Sequence, residues 1–153
     1  TTFGQAKVGE RLNIERALRL SDRIDGHLVS GHIDGMGIVK ERETLSNAII
    51  LTIGVDESLT QYMITKGSVA IDGISLTINT RESDSFSVSV IPHTARLTTI
   101  GFKNKGDRVN IETDMIGKYV ERFISGITGR HKENPSKHGF IDHTYLVKTG
   151  FID

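Results

Sequence analysis

Hydroxyl and imidazole side chains are the groups in this chain best suited to chemistry: His32, Ser75, Thr77, His93, Thr94 and Thr98, with Lys66 and Asp114 as further members. Neutral hydroxyls and backbone amides suit an uncharged polar ligand, because each buried ligand polar atom needs a partner. Such a set can read the edges of a flat heterocycle and a hydroxylated chain attached to it. Each Ser or Thr taken singly is also an ordinary strand residue. Metal chemistry has little support. His27 and His32 are five apart, on opposite faces of a regular strand, and no HExxH pattern is present. His131, His138 and His143 sit in a polar tail. The stretch GHIDGMG matches a phosphate loop only in glycine count, and it lies between strands rather than before a helix. Ser75 follows a hairpin turn in DGISLT, which is not the elbow that presents a hydrolase serine.

These residues need strands to position them. Arg11–Ile14 follows a Gly9 turn and reads as a short strand, and Glu15–Asp25 is a charged connector. GHLVSGHIDGMGIVKERE, from Gly26, reads as two short strands punctuated by glycine, and Leu45–Val55 as one apolar strand. Asp56 can cap a brief helix over DESLTQYM. Asp72-Gly73 favours a tight turn, because Gly tolerates positive φ. Beyond it Ser75, Thr77 and Asn79 share one strand face, with Leu76 and Ile78 on the other. Ser85–Val90 alternates again until Pro92 removes a ladder donor, HTARLT reads as a turn or single helical turn, and Gly106–Glu112 is the last strand. Six short strands with one brief helix among them argue for a small closed barrel. An open α/β sheet would need long helical crossovers.

Residues 114–127 predict a helix, with Asp114 as N-cap and Met115, Ile116, Tyr119, Val120, Phe123, Ile124 and Ile127 on one stripe. That stripe fits packing on its own barrel, and it fits equally a contact with copies of itself. A polar linker (128–138) and an amphipathic tail complete the chain.

The composition of the 153 residues narrows the function. Nineteen Lys+Arg balance nineteen Asp+Glu, so no global field attracts a polyanion. With 6% aromatics and no Trp, a stacking groove for single strands is disfavoured, and nucleic acid is not an expected partner. No apolar run approaches the ~18 residues of a spanning helix, so no membrane is expected. The absence of Cys rules out disulfides and thiolate chemistry and is compatible with the cytoplasm, the expected compartment. TTFGQAKVGE has no signal-peptide layout.

The chain also carries an internal repeat. TTFGQAKVGERLNIE at 1–15 aligns without a gap onto TTIGFKNKGDRVNIE at 98–112, a shift of 97. Thr1/Thr98, Thr2/Thr99, Gly4/Gly101, Gly9/Gly106, Arg11/Arg108, Asn13/Asn110, Ile14/Ile111 and Glu15/Glu112 are identical pairs. A tandem duplication explains that density better than a common turn-and-strand pattern. The chain then opens in the last strand of one copy, and about 80 residues of that copy are expected upstream, in keeping with the missing initiator Met.

Three segments, SGHIDG at 30–35, KGSVAIDGISLT at 66–77 and VSVIPHTARLTTIG at 88–101, are followed by GDRVNIETD at 106–114. In this order and spacing they resemble the C-terminal lumazine-binding barrel of riboflavin synthases of the α-subunit type. The opening TTFGQAKVGERLNIERAL resembles the end of that family's N-terminal barrel. The resemblance implies an all-β fold, a six-stranded antiparallel Greek-key closed barrel with short helices and a C-terminal oligomerisation helix. It divides the chain into 1–18 (end of the first barrel), 19–113 (second barrel) and 114–153 (helix and tail).

It also implies a transferase that moves a four-carbon unit between two molecules of 6,7-dimethyl-8-ribityllumazine, without metal or organic cofactor. The products are riboflavin and 5-amino-6-ribitylamino-pyrimidinedione. The family implies a homotrimer, with lumazine synthase as a further partner, and sites between the N-barrel of one subunit and the C-barrel of a neighbour. Matched residue by residue, the ligand contacts are Gly31, His32 and Ile33; Lys66; Ile74, Ser75 and Leu76; and Ser89, Val90, Ile91, Pro92, His93 and Thr94. The N-barrel's own ligand strands are absent from this chain, so half of each composite site is missing. The same fold also serves non-catalytic lumazine- or flavin-binding antenna proteins.

The implied chemistry is intelligible from the residues. The substrate's 7-methyl group is acidic because its carbanion delocalises into the pteridine ring, so a modest base suffices. His32 is a candidate for proton transfer or for a structural hydrogen bond. Ser75 or Thr77 can orient a nucleophile or polarise a ring nitrogen. Asp114, whose repeat mate is Ala17, suits a catalytic role or a helix cap. Much of the acceleration would come from holding two rings in register.

Overall fold

Alternating apolar and polar residues between Gly35 and Thr113 become six strands in the computed structural model of the chain, which describes residues 1–19, 21 and 26–127. They are β1 (Gly35–Thr44), β2 (Ile49–Gly54), β3 (Ser68–Ile71), β4 (Ile74–Arg81), β5 (Ser85–Val90) and β6 (Arg108–Thr113). Their order is β1-β2-β5-β4-β3-β6, every pair is antiparallel, and β6 returns to β1, so the barrel is closed. The meander β3-β4-β5 with β6 returning beside β3 is a Greek key. Closure leaves no strand edge exposed. The expected fold class therefore holds.

Inward side chains fill the barrel. Val39, Leu51, Ile53, Val69, Ile71, Ile78, Phe86, Val88, Val90, Val109 and Ile111 form its core, joined by Leu59, Met63 and Ile100 from the connecting segments. Fully burying a residue of this kind contributes about 1.5–3 kcal/mol. Asp72 (φ 47°) and Gly73 (φ 81°) both occupy the left-handed region, as a two-residue type I′ hairpin between β3 and β4 requires.

Short helices link the strands. In α1 (Glu57–Thr60) the Ser58 N–H donates to Asp56 Oδ1 at 2.9 Å, the expected cap. Proline opens α2 (Pro92–Leu97), where its missing N–H is not needed. Single 3-10 turns cover Thr2–Gln5 and Thr99–Phe102. In α3 (Met115–Ile127) the Ile116 N–H donates to Asp114 Oδ1 at 3.0 Å, so Asp114 does cap the helix. Residues Thr1–Arg122 form one compact unit and Phe123–Asp153 a second, of which only the end of α3 is described.

Three sequence expectations are corrected. Arg11–Ile14 is not a strand: the segment runs without a ladder partner, and Ile14 is 91% exposed. GHLVSGHIDGMGIVKERE forms one ten-residue strand rather than two, because the backbone N–H groups of His27, Ser30 and Gly31 go to side chains of the barrel instead of a ladder. The Leu45–Val55 strand begins only at Ile49, since Leu45–Ala48 closes the β1–β2 hairpin (Leu45 N–H to Ala48 O, 2.8 Å). The linker and tail from residue 128, with His131, His138 and His143, lie outside the described residues.

Candidate ligand cleft

Ser75 is the second residue of β4, opposite Ala70 of β3, and the I′ turn lifts it to the end of the barrel. There it meets His27: Nδ1 and Ser75 Oγ share a 2.7 Å hydrogen bond, and the His27 backbone N–H points to the same oxygen at 3.4 Å. With the amide donating to Oγ, the hydroxyl proton is free to donate to Nδ1. Gly26 makes the approach possible, because a Cβ there would lie 2.7 Å from Ser75 Oγ. His27 Nε2 is buried and has no hydrogen-bond partner among the described residues, which is costly unless a ligand atom meets it.

Around this pair lies a cleft of about 760 Å³. Its walls are residues 13–18, residues 26–31, the Gly73–Ser75 end of the hairpin, and Thr98. Buried Glu112 fixes the second wall from below: its Oε1 accepts from Ser30 N–H (2.6 Å) and Ser30 Oγ (2.8 Å), and its Oε2 from Gly31 N–H (3.0 Å). Gly31 adopts φ 84° there.

Asp34 fixes the next step of the loop. Its Oδ2 accepts from Thr113 N–H and Oγ1, both at 2.8 Å, and Lys118 Nζ of α3 reaches Oδ1 at 2.6 Å. Burial pushes the Asp34 carboxyl up, but the hydrogen bonds from Lys118 and Thr113 outweigh it, and its pKa lies below the ordinary carboxylate value. His32 Nε2 is 3.5 Å from Asp34 Oδ1, with its own side chain 75% exposed.

The residues singled out from sequence divide into groups. Gly31, Ile74, Ser75 and Thr98 line the cleft. Ile74 and Leu76 also pack against the core, and Val90 is part of it. Ile33, Ser89 and Thr94 are half-buried; Ile91, Pro92 and His93 are exposed around the start of α2, and Thr94 O accepts from Thr98 Oγ1 at 2.7 Å. Lys66 (φ 70°) is exposed in the turn before β3, and Thr77 is exposed on β4. Asp114 is occupied as the α3 cap.

Sequence reasoning passed over His27, Glu112 and Asn13. For the last two a signal existed: the repeat preserves Asn13/Asn110 and Glu15/Glu112, and a strand needs neither residue type. Among the described residues no cluster of three His, Asp or Glu is placed to hold a metal.

The barrel has known counterparts. The family model of the lumazine binding domain matches residues 30–114. Two solved structures share the fold at 23% identity: LumP complexed with 6,7-dimethyl-8-(1'-D-ribityl) lumazine (TM-score 0.65; 74% of this chain, 60% of that one) and LumP complexed with riboflavin (TM-score 0.68; 74% and 61%). This is a lumazine-binding barrel protein. Riboflavin synthases from Actinobacillus pleuropneumoniae, Bacillus subtilis (strain 168) and Photobacterium phosphoreum are 44%, 40% and 37% identical, each over 99% of this chain. The chain belongs to the riboflavin synthase family of transferases, and it spans about two thirds of the length of these relatives (67–68%).

Proposed function

We propose that the cleft holds one 6,7-dimethyl-8-ribityllumazine against the His27–Ser75 pair, and that this chain supplies the half-site of residues 19–113 to a riboflavin synthase. The observation that carries the reading is the 2.7 Å bond between Ser75 Oγ and His27 Nδ1 at the cleft floor. A serine so aligned can accept a proton from the ligand's 7-methyl carbon while passing its own to Nδ1. The C–H bond breaks, its electron pair spreads into the pteridine ring, and the imidazole becomes positively charged. The orphaned Nε2 adds a partner for a ligand carbonyl or ring nitrogen.

Carbon–carbon bond formation needs a second lumazine stacked on the first, and then four carbons pass from one to the other with no outside oxidant. His32 and Thr77 are exposed in the single chain, which suits contact with a ligand held by a neighbouring copy. Asp114 acts in this reading as a helix cap. The assembly face is α3: Met115, Ile116, Tyr119, Val120, Phe123 and Ile124 are each 39–70% exposed, an apolar stripe that a homotrimer would cover. A cytoplasmic enzyme is consistent with the described residues, in which no helix is long and apolar enough to cross a membrane.

Calorimetric titration with 6,7-dimethyl-8-ribityllumazine tests the assignment. One molecule per chain should bind, and Ser75→Ala should weaken it by about tenfold, the loss of one hydrogen bond left unmade. Unaltered affinity in both Ser75→Ala and His27→Ala would refute the site. Binding without any riboflavin formed by the trimeric full-length protein would point instead to an antenna-type binding protein.

A further inference from the structure

Asn13 and Asn110 are repeat mates, and each holds a threonine of the other copy. The Thr99 N–H donates to Asn13 Oδ1 (2.8 Å), and Asn13 Nδ2 donates to Thr99 Oγ1 (2.8 Å). In return the Thr2 N–H donates to Asn110 Oδ1 (2.7 Å), and Asn110 Nδ2 donates to Thr2 Oγ1 (2.8 Å). Thr2 and Thr99 are themselves mates under the shift of 97. Contacts that exchange in this way mark a two-fold relation, here within one chain.

Both asparagines also reach Asp72: Asn110 Nδ2 donates to its Oδ1 at 3.1 Å, and Asn13 Nδ2 donates to its main-chain carbonyl at 2.9 Å. Asp72 is the first residue of the I′ turn, in a left-handed conformation that Asp tolerates better than most non-glycine residues. Its carboxylate is held by the Asn110 N–H (2.8 Å) and by Lys103 Nζ (3.1 Å). Asn13 therefore holds the carbonyl of this turn residue from the cleft side, while β6 holds its amide N–H, which donates to the Asn110 carbonyl at 2.9 Å, and its side chain. Three residues after Asp72 the chain reaches Ser75.

We propose that Asn13 is a positioning residue: by holding the Asp72 carbonyl it sets where the β3–β4 turn sits, and hence where Ser75 meets His27 and the ligand. A residue at the end of one repeat thus shapes the cleft of the next in the same chain. The link to ligand rests on the lumazine reading above; the link to the turn does not.

The test compares Asn13→Ala, Asn13→Asp and Thr99→Val in the chain. Asn13→Asp keeps the acceptor for Thr99 N–H but replaces the donor to Asp72 with a repelling oxygen. Thr99→Val removes only the threonine hydroxyl. Both Asn13 variants should speed amide exchange at Gly73–Leu76 about tenfold while β5 is unchanged, and weaken 6,7-dimethyl-8-ribityllumazine binding about tenfold; Thr99→Val should stay within about twofold on both. Unchanged exchange at the turn, or an equal rise in β5, would overturn the proposal, as would a loosened turn with unaltered lumazine affinity. A wild-type chain that binds no lumazine, with the turn loosened in both Asn13 variants, would support the positioning role and count against the ligand reading alone.

Discussion

Residues 1–15 and 98–112 carry nearly the same sequence and meet different fates. The short-range structure is the same in both. Thr2–Gln5 and Thr99–Phe102 are 3-10 turns at equivalent positions. Gly9 has φ 92° and Gly106 has φ 94°. Glu10 Oε2 accepts the Lys7 N–H at 3.0 Å, and Asp107 Oδ2 accepts the Asn104 N–H at 2.8 Å. The long-range structure is not. Arg108–Thr113 is a buried strand between β1 and β3, while Arg11–Ile14 has no ladder partner among the described residues. Turns form from hydrogen bonds a few residues apart and travel with the sequence, whereas a strand exists only where neighbours supply its ladder.

Steric demand separates the copies most sharply. A Cβ on Gly101 would fall 1.9 Å from the Ala95 carbonyl oxygen, whereas one on Gly4 meets nothing within 4 Å. Gly101→Ala should cost about 3 kcal/mol in urea unfolding, and Gly4→Ala about 0.5 kcal/mol or less. Equal costs would dissolve the distinction. Next come the asparagines. Asn110 is buried and loses bonds to Thr2 and Asp72, so Asn110→Ala should cost about 2 kcal/mol, against about 1.4 kcal/mol, the equivalent of a tenfold loosening, for half-buried Asn13→Ala.

The strand end gives a pH signature. Thr113 is fixed by Asp34, while its repeat mate is Arg16, outside any strand. Because the folded-state pKa of Asp34 is lowered, its contribution is fully present above the ordinary carboxylate value of 3.8 and is lost as pH falls through the lowered one. Removing the ammonium with Lys118→Met raises that pKa, so the acid-unfolding midpoint should move to higher pH; an unmoved midpoint would remove Asp34 from the account. Smallest, and alike in both copies, should be the turn caps: Glu10→Ala and Asp107→Ala should each speed exchange at Lys7 or Asn104 only a few-fold, equivalent to about 0.5 kcal/mol.

How much was legible in the sequence follows the same division. The Asp72-Gly73 hairpin, the Asp56 and Asp114 caps, the Pro92 stop and the barrel class depend on local chemistry and alternation, and all could be read directly. Ser75 entered as a ligand candidate through its hydroxyl and the family resemblance, not through the hairpin. His27 could not be placed, because nothing near it in sequence shows that residue 27 returns to residue 75. Glu112 and Asn13 are long-range contacts of the same kind, foreshadowed only by their retention in both copies. The misread strand at Arg11–Ile14 had a sound local signal and lacked what a sequence window does not contain, a neighbour.

The most direct test is a crystal structure of the chain soaked with 6,7-dimethyl-8-ribityllumazine. The account predicts the bicyclic ring in the cleft between residues 26–31 and the Gly73–Ser75 turn, with a ring heteroatom within hydrogen-bonding distance of Ser75 Oγ or His27 Nε2. A ring bound elsewhere, with the His27–Ser75 bond still closed to it, would contradict the account.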